Sequence, residues 1–211
     1  MTRHQQRYLP AVPASLALVL LFYASLAHAD YERGLFAYNH YDYPVARQQF
    51  KLAALNGHSS ARFYLGEIHE GGVGVPIDYK KAFTWYRQAA EQEHPVAQLR
   101  LARLYQTGRA GSRDAIAAFK WCRQSAENGY PLAQYEVGRM YAQGRGTRVD
   151  TVEAWKWLTI AASYGDPDAM AVRTQLVTRM SPGTIATAQL KAREWETAWE
   201  NRQLIRPVDL D

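Results

Sequence analysis

The chain has 211 residues, of which 47% are hydrophobic and 21% are charged, a composition that excludes an intrinsically disordered protein. Its formal net charge of +5 includes Arg3 and Arg7, and falls to +3 without them. So small a positive excess argues against a nucleic-acid-binding protein. The single cysteine, Cys122, excludes an internal disulfide, so we expect packing alone to hold the fold.

The first residues have the three parts of a secretory signal peptide. A basic start is followed by an apolar stretch over residues 14–26 and by Ala27-His28-Ala29, a pattern that signal peptidase accepts. The uninterrupted apolar core, residues 16–26, has 11 residues, about half of the roughly 20 that a membrane span needs. We predict a signal peptide over residues 1–29, cleaved before Asp30. The mature protein would then be periplasmic or secreted, with no stable membrane span; a retained anchor is the alternative.

From about residue 30 to residue 167 the sequence repeats every 36 residues without a gap. The recurring residues are small, aromatic or typical of helix ends: Ala61, Ala97 and Ala133; Gly72, Gly108 and Gly144; Asp78, Asp114 and Asp150; Trp85, Trp121 and Trp157; Pro95, Pro131 and Pro167. Such a period is typical of a stacked helical repeat protein. We predict a partial first repeat over residues 30–58 and full repeats over residues 59–94, 95–130 and 131–166.

Each period contains two predicted helices. In the repeat 59–94, a helix over residues 60–70 ends at a glycine-rich turn, because glycine adopts the left-handed backbone that closes helices. Asp78 is placed to cap the second helix, from Tyr79 to about Glu93. Pro95 begins the next helix, where its missing N–H costs nothing.

The two ends of the array depart from the period. The first repeat retains its second half, with a first helix predicted from about Tyr31 to Asn39 as an N-terminal cap. After residue 167 we predict capping helices over residues 168–206: one from Asp168 to Met180, and a final one from Gly183 to Arg202 that begins at Ser181-Pro182. Residues 207–211 are predicted to be a frayed tail.

These motifs resemble the Sel-one-like repeat, a relative of the tetratricopeptide repeat with a longer turn between its helices. The resemblance rests on the blocks ARFYLG (61–66), GVGVPID (72–78) and KAFTWYRQAA (81–90) and on their counterparts 36 residues further on. It implies an all-α fold, an α/α solenoid wound as a right-handed superhelix with capping helices at both ends. It also implies an adaptor that binds other proteins, as in bacterial envelope assemblies.

No catalytic, cofactor-binding or metal-binding constellation emerges from the sequence. His58 and His94 occupy equivalent inter-repeat turns, where we expect solvated side chains, and His69 stands at an aromatic core position. The glycine-rich turns lack the Lys of a phosphate loop and lie between two helices. Cys122 follows Trp121 on an inward helix face, so we expect a buried, inert thiol. We therefore predict a protein that is not an enzyme.

The first helix of each repeat leaves one face free of packing, and in related solenoids such helices line the concave side. The candidate partner-binding residues on this face are Tyr64, Glu67, Arg100, Arg103, Glu136, Arg139 and Gln143. Arginine binds carboxylates with two parallel hydrogen bonds, which favours an acidic peptide or protein partner. From the sequence we expect reversal of Arg100 and Arg103 to Glu to abolish capture without lowering the melting temperature.

Two other functions remain open at this point. With 14 Tyr and 6 Trp, the chain has the aromatic content of a carbohydrate- or peptidoglycan-binding protein of the cell envelope, although most of these residues lie at repeat-core positions. Cysteine-rich relatives of the resembled family act on β-lactams, but their paired cysteines are missing here. A cell-wall-directed enzyme is therefore the weaker alternative.

Overall fold

A computed structural model describes residues 14–205, and within them it has ten α-helices and no strand. The helices are α1 (Ala14–Asn39), α2 (Tyr43–Leu55), α3 (Ser59–Gly71), α4 (Tyr79–Ala90), α5 (Pro95–Thr107), α6 (Ala115–Glu127), α7 (Pro131–Gln143), α8 (Thr151–Ser163), α9 (Pro167–Val177) and α10 (Pro182–Ile205). This confirms the predicted all-α class built from repeated helix–turn–helix units.

The described chain divides after Leu65 into two compact units. In the first unit, α1 packs along α2. In the second unit, α4 to α8 each pack against the next helix in the chain, and α10 packs against α8. The second unit thus contains the repeated helix pairs from α4 onward and the C-terminal helices.

The predicted helix boundaries within the repeats are set by local capping contacts. The carboxylate of Asp78 accepts a hydrogen bond from Lys81 N at 3.0 Å, and Asp114 and Asp150 cap α6 and α8 in the same way. At the C-terminal end of α5, Gly108 adopts a φ of 69° in the left-handed region, where a residue with a side chain is strained. The predicted Asp caps are therefore confirmed.

Four helix ends differ from the predictions, one of them the end of α10 at Ile205, three residues after the predicted Arg202. The first helix begins at Ala14 and not near Tyr31, because residues 14–30 contain strong helix formers and no glycine or proline to stop the helix. Helix α4 ends at Ala90 and not near Glu93, whose φ of 63° is incompatible with an α-helix. Helix α9 ends at Val177, three residues before Met180. Residues 1–13 of the predicted signal peptide lie outside the described residues.

His58 and His94 are helix caps, so the prediction of solvated turn side chains is wrong. Nδ1 of His94 accepts from Ala97 N at 3.2 Å, and Nδ1 of His58 accepts from Ala61 N at 3.4 Å. Both residues are half-buried. The His58 ring also stacks on Tyr31, with ring centroids 4.2 Å apart. The sequence pattern did not indicate these roles because histidine is an uncommon cap.

The two helices of each repeat approach closely where a small residue faces a larger one. Gly66 lies under the ring of Tyr86, and a Cβ on Gly66 would lie 2.4 Å from that ring. Two repeats further on, Gly138 lies against Leu158 in the same way, and a Cβ on Gly138 would lie 2.8 Å from the Leu158 side chain. In the repeat between them the equivalent residues are Ala102 and Cys122, both fully buried. A larger residue on the first helix is thus matched by a smaller one on the second.

The C-terminal helix α10, predicted as a capping helix, covers the end of the repeats through an apolar stripe. Ala188 and Ala192 are buried, and the ring of Trp195 meets Trp157 edge-to-face at 5.4 Å. Beside this contact, Lys191 Nζ lies 2.8 Å from the carboxylate of Glu153, which Lys156 also contacts at 2.6 Å. The predicted capping role of this stripe agrees with its packing on α8.

Replacing Gly66 with alanine should destabilise the second unit by about 1–3 kcal/mol, the range for overpacking a close-packed core. The added methyl group overlaps the Tyr86 ring, which is fully buried and cannot move aside freely. Urea unfolding followed by circular dichroism measures the effect.

Gly111 provides the matched control, because a Cβ there meets no atom within 4 Å. Gly111→Ala should change the free energy of unfolding by less than about 0.5 kcal/mol, as surface substitutions do. Equal effects of the two substitutions would contradict the close approach of Gly66 to Tyr86.

Glu153 should link the stability of the protein to pH. Burial would raise the pKa of this carboxyl, but its hydrogen bonds to Lys156 and Lys191 lower the pKa below the ordinary value of 4.5. The folded state therefore binds fewer protons than the unfolded state near that pH. Its stabilising contribution is complete above about pH 4.5 and is lost as the pH falls through the folded pKa.

Glu153→Gln should accordingly lower the free energy of unfolding by about 1 kcal/mol at pH 7, and by progressively less as the pH falls below 4.5. Urea unfolding at several pH values measures this difference. Glu200→Gln, the same chemical change at an exposed position of α10, is the control and should show no such pH dependence.

Candidate partner-binding face

In the second unit, six of the predicted binding residues lie on the first helices of the repeats. We call them the candidate face: Glu67, Arg100, Arg103, Glu136, Arg139 and Gln143. On α5, residues such as Ala97, Leu101 and Leu104 are turned into the core, which leaves the two arginines half-buried beside it. The helical period thus separates packing positions from positions that contact solvent.

Arg100 joins α5 to α3 through two carboxylates. Its Nη2 donates to Glu67 Oε1 at 3.1 Å, and its Nη1 lies 3.9 Å from Glu70 Oε2. The same Glu70 oxygen accepts a hydrogen bond from the hydroxyl of Tyr86 at 2.7 Å. Three helices, α3, α4 and α5, therefore meet at one cluster, which we call the Arg100 cluster: Glu67, Glu70, Tyr86 and Arg100.

The pKa values in the Arg100 cluster follow from its burial. Partial burial raises the pKa of Glu67 above its ordinary value, although Arg100 opposes this effect. Burial, together with the hydrogen bond to Glu70, raises the pKa of Tyr86. The Tyr86 hydroxyl therefore remains a proton donor to Glu70 at physiological pH, and the cluster holds its hydrogen bonds in one arrangement.

Glu70 and Tyr86 were not among the predicted site residues. Glu70 follows Glu67 by three residues and therefore lies on the same side of α3, which is the one signal in the sequence that could have drawn attention to it. Tyr86 belongs to the repeated block KAFTWYRQAA, and the helical period turns it toward the core. Its hydroxyl reaches Glu70 only because the ring crosses over Gly66.

On α7 the charged residues of the candidate face interact within their own helix. Arg139 Nη1 lies 3.7 Å from Glu136 Oε2, and the Arg139 guanidinium lies over the ring of Tyr135 at 5.4 Å. Gln143, at the end of the helix, is exposed. These contacts are partly solvated and therefore weak, so the α7 residues can exchange them for a partner.

Arg103 is the cation of the candidate face that is most available. It is half-buried on α5, and no ion pair to it is found among residues 14–205. An arginine without a carboxylate partner can bind one from another molecule.

Cys122 lies beneath this face and is chemically quiet. It is fully buried, and its Sγ donates to the carbonyl of Ala133 at 3.6 Å. Burial raises the pKa of the thiol, so the reactive thiolate is disfavoured. The buried position expected from the sequence is therefore confirmed.

Tyr64, the remaining predicted binding residue, belongs to the first unit and lies within an aromatic cluster there. Its ring stacks on Phe50, with centroids 4.9 Å apart, and meets Tyr38 edge-to-face at 5.3 Å. The ring of Tyr31 also lies beside it, with ring centroids 6.1 Å apart. These contacts give Tyr64 a packing role in the first unit, and its participation in binding remains a prediction.

Within residues 14–205, no group of three or more His, Cys, Asp or Glu residues is arranged to hold a metal ion. The His69 side chain is buried. The backbone carbonyl of His69 accepts a hydrogen bond from Asp78 N at 2.8 Å, which joins α3 to the start of α4. Its position agrees with the packed histidine expected from the sequence.

Comparisons with known proteins identify the repeats. The model of the Sel1 repeat family matches residues 59–94, 95–130 and 131–166. A Sel1 repeat protein from Oxalobacter formigenes is similar in structure, with a TM-score of 0.67, 29% identity, and coverage of 81% of this chain and 51% of its own. A protective antigen of uropathogenic Escherichia coli with an SLR fold gives a TM-score of 0.56, 20% identity, and coverage of 88% and 50%. The chain thus spans about half the length of both proteins. Among curated proteins no match was found.

The Arg100 cluster changes the expected effect of substitution at Arg100. Arg100→Glu would place a third carboxylate beside Glu67 and Glu70, so it should lower the melting temperature by about 2–6 °C, corresponding to about 1–2 kcal/mol. Differential scanning calorimetry measures the shift.

Arg103→Glu is the matched control, because it makes the same charge change one helical turn away and breaks no ion pair within residues 14–205. Its melting temperature should stay within about 1 °C of the unmodified protein. A stable Arg100→Glu variant would mean that the Arg100 cluster does not hold α3, α4 and α5 together.

Proposed function

The chain belongs to the Sel1 repeat family, and on that premise we propose that it is an exported scaffold that binds a protein or peptide through the candidate face. Members of this family serve in general as scaffolds for protein interactions. The observation that carries the proposal is Arg103, a cation on α5 without an ion partner among the described residues, beside the weakly paired Arg139 on α7.

The chemistry of this face favours a partner with carboxylates. Arg100 is engaged by Glu67 and Glu70, so it shapes the face but is not free to bind. Arg103 and Arg139 can each bind a carboxylate by donating two parallel hydrogen bonds from the guanidinium. Gln143 adds an exposed amide that can bind a peptide backbone. An acidic segment of a partner therefore fits this surface.

Export is part of the proposal and rests on the signal-peptide pattern of residues 1–29. Cleavage before Asp30 would remove the first part of α1 and leave residues 30–39 of that helix. Asp30 is itself buried, at 6% exposure, and lies 3.4 Å from Arg33. Among residues 14–205, no helix has both the length and the apolarity that crossing a membrane requires.

The alternative of a carbohydrate-binding protein has less support. Carbohydrate sites present the open faces of aromatic rings, whereas rings such as Tyr64, Tyr86 and Trp157 are engaged in stacking, hydrogen bonds or core packing. Binding of a protein partner is therefore better supported than binding of a carbohydrate.

Arg103→Glu should reduce capture of the partner at least about tenfold, because a like charge placed opposite a carboxylate costs several kcal/mol. The partner is identified by cross-linking in intact cells followed by mass spectrometry, and its affinity for the purified chain is then measured by calorimetry.

Arg109→Glu is the control, since Arg109 is an exposed arginine in the turn after α5 and lies outside the candidate face. This variant should retain the affinity within about threefold, as rim charges do. Equal loss in both variants, or no loss in either, would contradict binding through the candidate face.

A further inference from the structure

The last repeat shows how its outer surface is filled when a helix docks on it. Trp195 of α10 meets Trp157 edge-to-face, and Trp199 stacks on Trp195 with centroids 5.5 Å apart and planes 6° from parallel. Trp199 also lies directly over Gly129, in the turn between α6 and α7, where a Cβ would overlap the indole ring. We call this arrangement the Trp157 site.

The equivalent surface exists one repeat earlier, and there no described helix covers it. Trp121 is the residue equivalent to Trp157, and Glu93 is equivalent to Gly129, 36 residues apart in each case. The backbone repeats as well, since φ is 63° at Glu93 and 83° at Gly129. Yet Trp157 is only 2% exposed, whereas Trp121 is partly exposed and lines an open cleft of about 340 Å³.

This cleft, which we call the Trp121 cleft, is acidic. It is lined by Glu91, Glu93, Gln98, Trp121, Gln124 and Glu127. Glu91 and Glu127 make only solvent-exposed pairs, each with the arginine four residues earlier, at 3.7 and 3.3 Å, and such pairs are weak. No ion pair to Glu93 is found in the described part of the chain.

A buried acceptor adds to this character. The side-chain oxygen of Gln124 is buried and receives no hydrogen bond within the described residues. An unpaired buried amide oxygen is costly, so a hydrogen-bond donor that reached the Gln124 amide would be favoured. Carboxylates, an orphan acceptor and an indole wall together suit a cationic side chain, since ammonium and guanidinium groups also bind over indole rings.

We propose that the Trp121 cleft docks a basic helix of a partner protein, in the way that α10 docks on the Trp157 site. An aromatic residue of that helix would contact Trp121 as Trp195 contacts Trp157. Four residues later, where α10 has Trp199, the partner helix carries Lys or Arg, because Glu93 occupies the space that Gly129 leaves for an indole. The α10 helix of a second copy does not fit, since Trp195 and Trp199 are seated on their own chain. This surface is separate from the candidate face, and its test does not depend on Arg103.

Two synthetic peptides with the sequence of residues 186–205 test the proposal, one with Arg and one with Glu in place of Trp199. The Arg peptide should bind the full chain at least about tenfold more tightly than the Glu peptide, since opposite and like charges at one contact differ by this factor or more. The indole N–H signal of Trp121 in NMR spectra should shift on binding, and that of Trp157 should not. Fluorescence anisotropy of the labelled peptides gives the affinities.

Reversing the charge of the cleft with Glu93→Lys and Glu127→Lys should invert the preference, so that the Glu peptide binds more tightly than the Arg peptide. The matched control is the full chain with Glu194→Lys and Glu200→Lys, on the exposed side of α10. It makes the same charge change and should leave the preference between the two peptides unchanged. The proposal is overturned if both double variants behave alike, if the Trp157 signal shifts in place of the Trp121 signal, or if neither peptide binds. It is also overturned if the unmodified chain self-associates in sedimentation experiments and Glu93→Lys abolishes this, because a second copy would then occupy the cleft.

Discussion

The close approach of the two helices within each repeat determines where the other side chains of the second unit lie. Gly66 allows the ring of Tyr86 to pass directly over α3, and Gly138 allows the same for Leu158. Where the first helix has the larger Ala102, the second helix has the smaller Cys122, and both are fully buried. Because protein interiors are close-packed, a bulky residue such as Tyr86 or Leu158 can lie at this crossing only where the first helix has a glycine.

This packing also determines which surface charges are available. The crossing over Gly66 brings the Tyr86 hydroxyl to Glu70, which together with Glu67 engages Arg100. A residue that appears from its period to be a surface cation is thus part of the structure that joins three helices. Arg103, one turn further along α5, has no comparable contact within the described residues. Two arginines with the same apparent role in the sequence therefore differ in their contacts for a structural reason.

The end of a repeat array requires a cover, because the last repeat has no following repeat to bury its outer surface. In this chain α10 provides the cover with Trp195 and Trp199, and Gly129 makes room for the second indole. The internal repeat has Glu93 at the position of Gly129, together with further carboxylates around Trp121. The two equivalent surfaces differ at several positions, among them Glu93 for Gly129, Gln124 for Ile160 and Glu127 for Ser163. These differences separate a surface that binds the chain's own helix from one with the charge to bind a basic helix.

The sequence by itself determined the helical class, the period and most helix ends within the repeats. Aspartate caps, first-turn prolines and left-handed glycines act through neighbouring backbone groups, so their effect can be predicted from a few adjacent residues. The tertiary structure decided the rest, above all the pairing of Arg100 with Glu67, 33 residues away. That pairing depends on how closely and at what angle two helices pack, and this geometry results from side-chain volumes distributed over the whole repeat.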